Sequence, residues 1–325
     1  MNPAGLGDPL PGAGWDVCGA SVIGREHQRR GLGCDDAFSY GVVGDFVVAA
    51  VADGAGSVTG TSAWGSYVAC RSVLANALRP DFLDSYRGAS SEHAETLMAW
   101  LFEKALKRVI RHADEQGLDP ALLSTTLCVG LADSSRAVFG QVGDGVIAAE
   151  RDGRIDTLLI EEKNEYANIT SFLQSERALQ DAFGTSVHDG VTAFGLSTDG
   201  MVYKITDVAT GQAYQPFFRD SWRHVRAGAD SAQFAALLSG IEDDQTGDDK
   251  TVVLATVRDA GGNGPGGGAI TGHSPAPDGS DACAMERDSM QTRVADAESE
   301  ADEMTVPITA ATGGGRRFGR RGRNR

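Results

Sequence analysis

No stretch of this chain approaches the roughly eighteen consecutive apolar residues that a helix needs to cross a bilayer, so no membrane span is expected. Cysteine is scarce and poorly arranged for a structural role. Cys18, Cys34, Cys70, Cys128 and Cys283 are odd in number, and no two of them form a Cys-x-x-Cys pair. That argues against a disulfide framework or a zinc cage and suits reduced thiols in a cytoplasmic protein. Residues 1–14 are rich in Gly and Pro and lack the basic start and apolar stretch of a secretion signal; they read as a flexible N-terminus. Positive charge is in deficit: 29 Lys and Arg stand against 45 Asp and Glu, a formal net charge of −16. No nucleic-acid partner is therefore expected, and the acidic surplus serves solubility and cation binding.

What the chain does have is enough apolar residues, 41% of 325, to bury a large core. Dense apolar patterning runs through residues 15–258, the expected folded domain, and stops there. Residues 259–325 begin with a Gly-rich run and continue in Ser, Pro, Asp, Glu and Ala, a composition that buries too little apolar surface to offset chain entropy and reads as a disordered tail. This tail is polarised. Residues 281–303 hold eight acids against Arg287 and Arg293, whereas the last ten residues hold six arginines and no acid. A terminal block of like charge can dock an acidic partner.

Within 15–258 the periodicities fall into groups. Strands are expected over 16–23, 36–40 and 45–52, followed by a helix over 62–78 and a second over 92–116 that is closed by Gly117. Strands return over 124–131, 137–142, 146–151 and 154–160, with Asp152-Gly153 as a hairpin turn between the last two. A further strand runs up to Leu196, helices lie around 216–226 and 231–239, and a closing strand covers 250–258. Strands in hairpins with helices in pairs predict an α+β fold: two mostly antiparallel sheets packed as a sandwich and flanked by helix pairs, α-β-β-α.

Short aspartate motifs sit at the ends of several of these strands. They are Cys34-Asp35-Asp36-Ala37, Asp53-Gly54-Ala55-Gly56, Gly143-Asp144-Gly145, Ser197-Thr198-Asp199-Gly200 and Asp248-Asp249-Lys250-Thr251. An Asp-Gly dipeptide by itself usually marks a turn. Carboxylates at strand ends can nevertheless converge from distant parts of the chain, and a carboxylate cluster without His or Cys companions suits a hard cation such as Mg2+ or Mn2+.

The order of these motifs, opened by Gly19-Ala20-Ser21-Val22-Ile23-Gly24 and His27, resembles the type 2C metal-dependent serine/threonine protein phosphatases, most of all the bacterial branch whose first motif reads Gln-Asp-Ala. The resemblance covers roughly residues 15–257. It implies hydrolysis of phosphomonoesters by a metal-bridged hydroxide without a covalent intermediate, with two Mn2+ or Mg2+ ions and a weaker third. Asp53 would bridge the two ions, the Gly54 carbonyl would add a ligand, and Asp199 and Asp248 would complete the first site. Asp36 would hold a metal-bound water, Asp35 stands where relatives carry Glu or Gln, and Asp144 would help Asp199 hold the third ion. Relatives place a phosphate-binding Arg at a position occupied here by Gly31, which leaves Arg30 or His27 as the phosphate contact. Ala55 stands where many relatives carry a His able to act as general acid, a group that contributes typically ~100- to 10,000-fold. The implied partners are phosphoserine and phosphothreonine proteins and a cognate kinase. A catalytically weak phosphoprotein-binding regulator of the same fold, and a hydrolase of small phosphate esters, are the alternatives. The segment 161–187 falls where relatives insert a variable flap, and its Asn164, Asn168 and Thr170 would contact substrate or cap helices.

Overall fold

The computed structural model describes residues 14–55, 60–159, 170–207, 209–242, 245–258 and 269–277. Residues 1–13 of the N-terminal segment, Asn164 and Asn168 of the expected flap, and the acidic and Arg-rich parts of the tail lie outside the described residues. In chain order the elements are β1 (Trp15–Val22), α1 (Arg25–Arg30), β2 (Ala37–Val43), β3 (Phe46–Ala52), α2 (Ser62–Ala77), α3 (Pro80–Arg87) and α4 (Ser91–Gln116). There follow β4 (Leu127–Ala132), β5 (Ala137–Val142), β6 (Val146–Arg151), β7 (Arg154–Leu159), α5 (Ala178–Asp181), β8 (Gly184–His188) and β9 (Val191–Ser197). The chain closes with α6 (Val202–Ile205), α7 (Gln215–Arg226), α8 (Ser231–Gly240), β10 (Lys250–Val257) and β11 (Ile270–His273).

The strands form two sheets in the orders β1-β10-β9-β6-β7 and β11-β2-β3-β4-β5-β8, with every pairing among the described residues antiparallel. The period-2 geometry of a strand explains why β3 is apolar at every position. Val47, Ala49 and Val51 enter the core between the sheets, with Trp15, Phe139 and Phe194. Phe46, Val48, Ala50 and Ala52 face the helices instead, against Val73, Leu97, Leu101 and Phe102. In the second sheet β10 divides in the same way: Val253 and Ala255 point inward, while Val252 and Leu254 pack with Phe218 and Trp222. Each fully buried side chain of this kind contributes about 1.5–3 kcal/mol. The expected α-β-β-α sandwich is the fold observed.

Local signals agree with it. Ser90 caps α4 by accepting the N–H of His93, and Gly117 ends the helix in the left-handed region at φ 66°. Asp152 and Gly153 join β6 and β7 with φ of 52° and 73°, the conformation a tight hairpin demands. Six elements lie beyond the sequence expectation: α1, α3, α5, α6, β8 and β11. The last corrects the tail boundary, because Ile270 to His273 pair with Val42 to Ser39 and extend the six-stranded sheet past residue 258. Ser274 then exchanges two hydrogen bonds with Phe38, Phe38 N to Ser274 Oγ at 2.9 Å and Ser274 N to Phe38 O at 3.0 Å.

The topology has one consequence for function. β2 starts beside the end of β3, with Ala37 opposite Ala52, so Asp36 and Asp53 emerge together. In the other sheet the end of β9 lies beside the start of β10, with Ser197 opposite Val252, so Thr198-Asp199 and Asp248-Asp249 emerge together.

Candidate active site

Four carboxylates from four motifs gather where these strand ends meet. Burial pushes the Asp53 carboxyl well above its ordinary value, and the neighbouring charges of Asp36, Asp199 and Asp248 push it further in the same direction. Like charges held this close repel, and folding tolerates them only because the surrounding backbone is fixed. Asp53 donates its N–H to Thr126 Oγ1 at 3.0 Å and accepts from Thr126 N and Thr125 Oγ1, both at 2.9 Å. Gly54 N donates to Asp35 O at 3.1 Å. A Cβ on Gly54 would lie 2.7 Å from Ser62 O and 2.8 Å from Asp35 O, so the glycine after Asp53 is dictated by close backbone approach.

The first motif is deeply buried. Asp36 Oδ2 accepts from Thr198 Oγ1 at 2.7 Å, and Asp35 Oδ2 accepts from Ser62 Oγ at 2.7 Å. The second oxygen of each, Asp35 Oδ1 and Asp36 Oδ1, has no hydrogen-bond partner. A buried carboxylate oxygen without a donor costs free energy unless something positive faces it. Burial raises the pKa of Asp35, and burial followed by the charge of Asp249 raises that of Asp36 well above the usual range.

Asp248 accepts the N–H of Asp249 on Oδ1 at 2.9 Å. Asp199 opens the turn after β9, and Gly200 beside it lies so close to the Asp249 carbonyl that no side chain fits. Asp144 stands in the β5–β6 turn, where Gly143 has φ 99° and Thr170 donates to Asp144 Oδ2 at 2.9 Å. Thr170 thus supports a carboxylate instead of capping a helix.

An all-oxygen donor set with two orphaned buried carboxylate oxygens suits a hard divalent cation such as Mg2+ or Mn2+. Among the described residues no group of three or more His, Cys, Asp or Glu side chains is already closed about a single point fit for a metal ion. A cation would relieve the mutual repulsion of the carboxylates.

The two phosphate-contact candidates separate. His27 is buried and places Nδ1 2.9 Å from Asp249 Oδ2, so that ring edge is engaged with a carboxylate. Arg30 is exposed at the last position of α1. Sequence reasoning passed over Asp249, which is 2% exposed and accepts from Gly24 N at 2.6 Å and Asp35 N at 2.6 Å besides His27. The Asp248-Asp249 doublet just before β10 was the available signal, since two adjacent carboxylates withdrawn from water need separate partners. Cys34 beside the site is no nucleophile, because burial drives its thiol pKa far upward.

The family model described as Protein phosphatase 2C matches residues 23–239. Serine/threonine-protein phosphatase 3 of Escherichia coli (strain K12) is 24% identical over 258 residues, covering 74% of this chain and 98% of that protein. A crystal structure of a bacterial serine phosphatase superimposes with a TM-score of 0.52 at 12% identity, over 74% of this chain and 97% of the other. The catalytic domain of the serine threonine protein phosphatase PstP, solved in complex with 2 manganese ions, matches at 17% identity and a TM-score of 0.47 over 75% of this chain and 99% of its own. Among the described residues no helix is long and apolar enough to cross a membrane. With two thirds of its length under one family model and its motifs gathered at one end of the sandwich, the chain belongs to the protein phosphatase 2C family and is an enzyme of that class.

Proposed function

We propose that this protein hydrolyses phosphoserine and phosphothreonine esters in proteins and so reverses the action of a kinase. The observation that carries the reading is the electrostatic environment of Asp53, whose charged neighbours Asp36, Asp199 and Asp248 come one from each of three other motifs. When bound there, Mn2+ or Mg2+ would supply the positive charge that makes a water nucleophilic near neutral pH and offsets charge on the phosphoryl oxygens, with no covalent enzyme intermediate. Asp53, Asp199, Asp248 and the Gly54 carbonyl would hold a pair of ions, Asp36 would orient water through its Oδ1 while Thr198 holds Oδ2, and Asp144 would serve a weaker third ion. Of the two candidates we favour Arg30 to meet an incoming phosphate, because it is exposed whereas His27 is buried with Nδ1 facing Asp249.

The intact set of carboxylates favours an enzyme over a phosphoprotein-binding regulator. The test is hydrolysis of an aryl phosphate and of a phosphothreonine peptide with Mn2+, Mg2+ or EDTA. Turnover of both with either metal and loss in EDTA is expected. Full turnover in excess EDTA, with no metal found by elemental analysis, would sink the idea.

A further inference from the structure

Asp249 has no obvious place in a metal-ligand set, yet it is among the most completely satisfied polar groups of the molecule. Its carboxylate lies 2.6 Å from Gly24 N, 2.6 Å from Asp35 N and 2.9 Å from His27 Nδ1. These donors come from the segment that runs from the end of β1 through α1 to the first aspartate motif. Asp35 passes the connection on. Its carbonyl accepts from Gly54 N at 3.1 Å and from Ser66 Oγ at 2.5 Å. One continuous chain of hydrogen bonds therefore runs from His27 through Asp249 and the Asp35 peptide to Gly54, and it touches the immediate neighbours of Asp36, Asp53 and Asp248.

The residues of the last motif take divergent partners. Asp248 acts on Asp53, Asp249 turns to α1, and Lys250 Nζ donates to the carbonyls of Leu238 and Ile241 at the end of α8. The start of β10 and the doublet before it thus tie the loop of the first motif to the end of α8. A buried carboxylate with three N–H donors is a charge-assisted anchor, stiffer than neutral hydrogen bonds.

We propose that Asp249 and His27, hydrogen-bonded to one another, are a positioning pair that sets the spacing of the metal-holding carboxylates Asp36, Asp53 and Asp248. The role rests on the reading that these carboxylates hold a divalent cation. Removal of the Asp249 side chain leaves the N–H groups of Gly24 and Asp35 buried without an acceptor, and the first motif loses its tie to the last. His27 contributes one of the three donors, so its removal acts in the same direction and less strongly.

The experiment is Mn2+ binding by titration calorimetry on the full chain, with the melting temperature of the metal-free protein recorded alongside. Asp249→Ala is expected to weaken Mn2+ binding at least ~10-fold, the scale seen when groups supporting metal ligands are removed, and His27→Ala to weaken it less. The double variant should fall short of the product of the single effects, because both remove the same tie. At saturating Mn2+, kcat on an aryl phosphate should drop while KM stays near the wild-type value. An unchanged Mn2+ affinity in folded Asp249→Ala overturns the proposal, whatever happens to the melting temperature. Should that variant not fold, unchanged affinity in His27→Ala does so instead. A wild-type chain that takes up no Mn2+ overturns the metal reading itself, whereas a wild-type chain that binds Mn2+ no better than Asp249→Ala overturns only the positioning role.

Discussion

Asp53 shows at the scale of one residue how a proposed metal ligand works against the stability of its own fold. Burial, then the charges of Asp36, Asp199 and Asp248, hold its carboxyl well above the ordinary 3.8. A carboxyl whose folded pKa exceeds its unfolded value favours the folded state below the unfolded pKa and loses that contribution as pH rises through the folded pKa. The metal-free protein should therefore lose melting temperature as the pH is raised from about 3.8 toward the folded value, and added Mn2+ should restore more of it at the upper end of that window. Asp53→Asn removes the repelling charge. It should flatten the pH dependence and raise the melting temperature of the metal-free protein at neutral pH, while Mn2+-dependent turnover falls more than ~100-fold, beyond the range typical of residues that only support a ligand. Asp144→Asn should cost less activity, since Asp144 sits apart in the β5–β6 turn. Equal and mild losses in the two variants would refute the bridging role of Asp53. A metal-free melting curve insensitive to pH would refute the repulsion.

Single elements decide which of these residues a sequence can reveal. Asp53 and Asp199 were legible because each follows a strand rich in Val, Ala, Leu or Phe, and Asp36 and Asp248 because each directly precedes one or lies a residue away from it. Asp249 was not, because its three donors lie 214 to 225 positions away and no local pattern encodes such a tie. β11 was hidden for a different reason. Four residues that follow a Gly-rich run vanish in a compositional average, although Gly272 is fitted to the ring of Tyr40, which leaves no room for a side chain. α3 starts on Pro80 and α1 is wholly polar, so neither carries an apolar stripe of useful length. At the end of β3 the fit of Gly54 between Ser62 O and Asp35 O makes a further prediction. Both obstructing atoms belong to the backbone and cannot rotate away. Gly54→Ala should therefore destabilise the protein by about 1–3 kcal/mol, as overpacking does. It should also weaken Mn2+ binding by forcing apart the segments that carry Asp36 and Asp53. Calorimetry showing wild-type affinity in a protein of unchanged melting temperature would refute the close approach.

For the whole molecule, the question is where the folded unit ends. Composition alone places the boundary at residue 258, but the sheet continues to His273, and Ser274 grips Phe38 two positions from Asp36. The antiparallel register also fixes a direction: β11 runs toward the end of β2 at which the carboxylates gather, so the chain leaves the sandwich near the active site. Two truncations with different outcomes are therefore expected. Removal of residues 278–325 should leave both the melting temperature and aryl phosphate turnover near the wild-type values. Removal of residues 259–325 also takes away β11 and uncovers the edge of β2. The ladder and the Ser274 bonds contribute about 1 kcal/mol each at most, and a domain of this size shifts roughly 2–4 °C per kcal/mol, so a drop of several degrees should be measurable. Aryl phosphate turnover should fall with it, because Phe38 and Asp36 share a backbone segment. The shorter truncation tests the six arginines of residues 316–325 separately. If they dock an acidic partner, their loss should change turnover of phosphoproteins in a salt-dependent way and leave the aryl phosphate untouched. Equal melting temperatures for the two truncated chains would show that β11 adds nothing to the fold, and a loss of aryl phosphate turnover on removing 278–325 would place part of the tail in the catalytic domain.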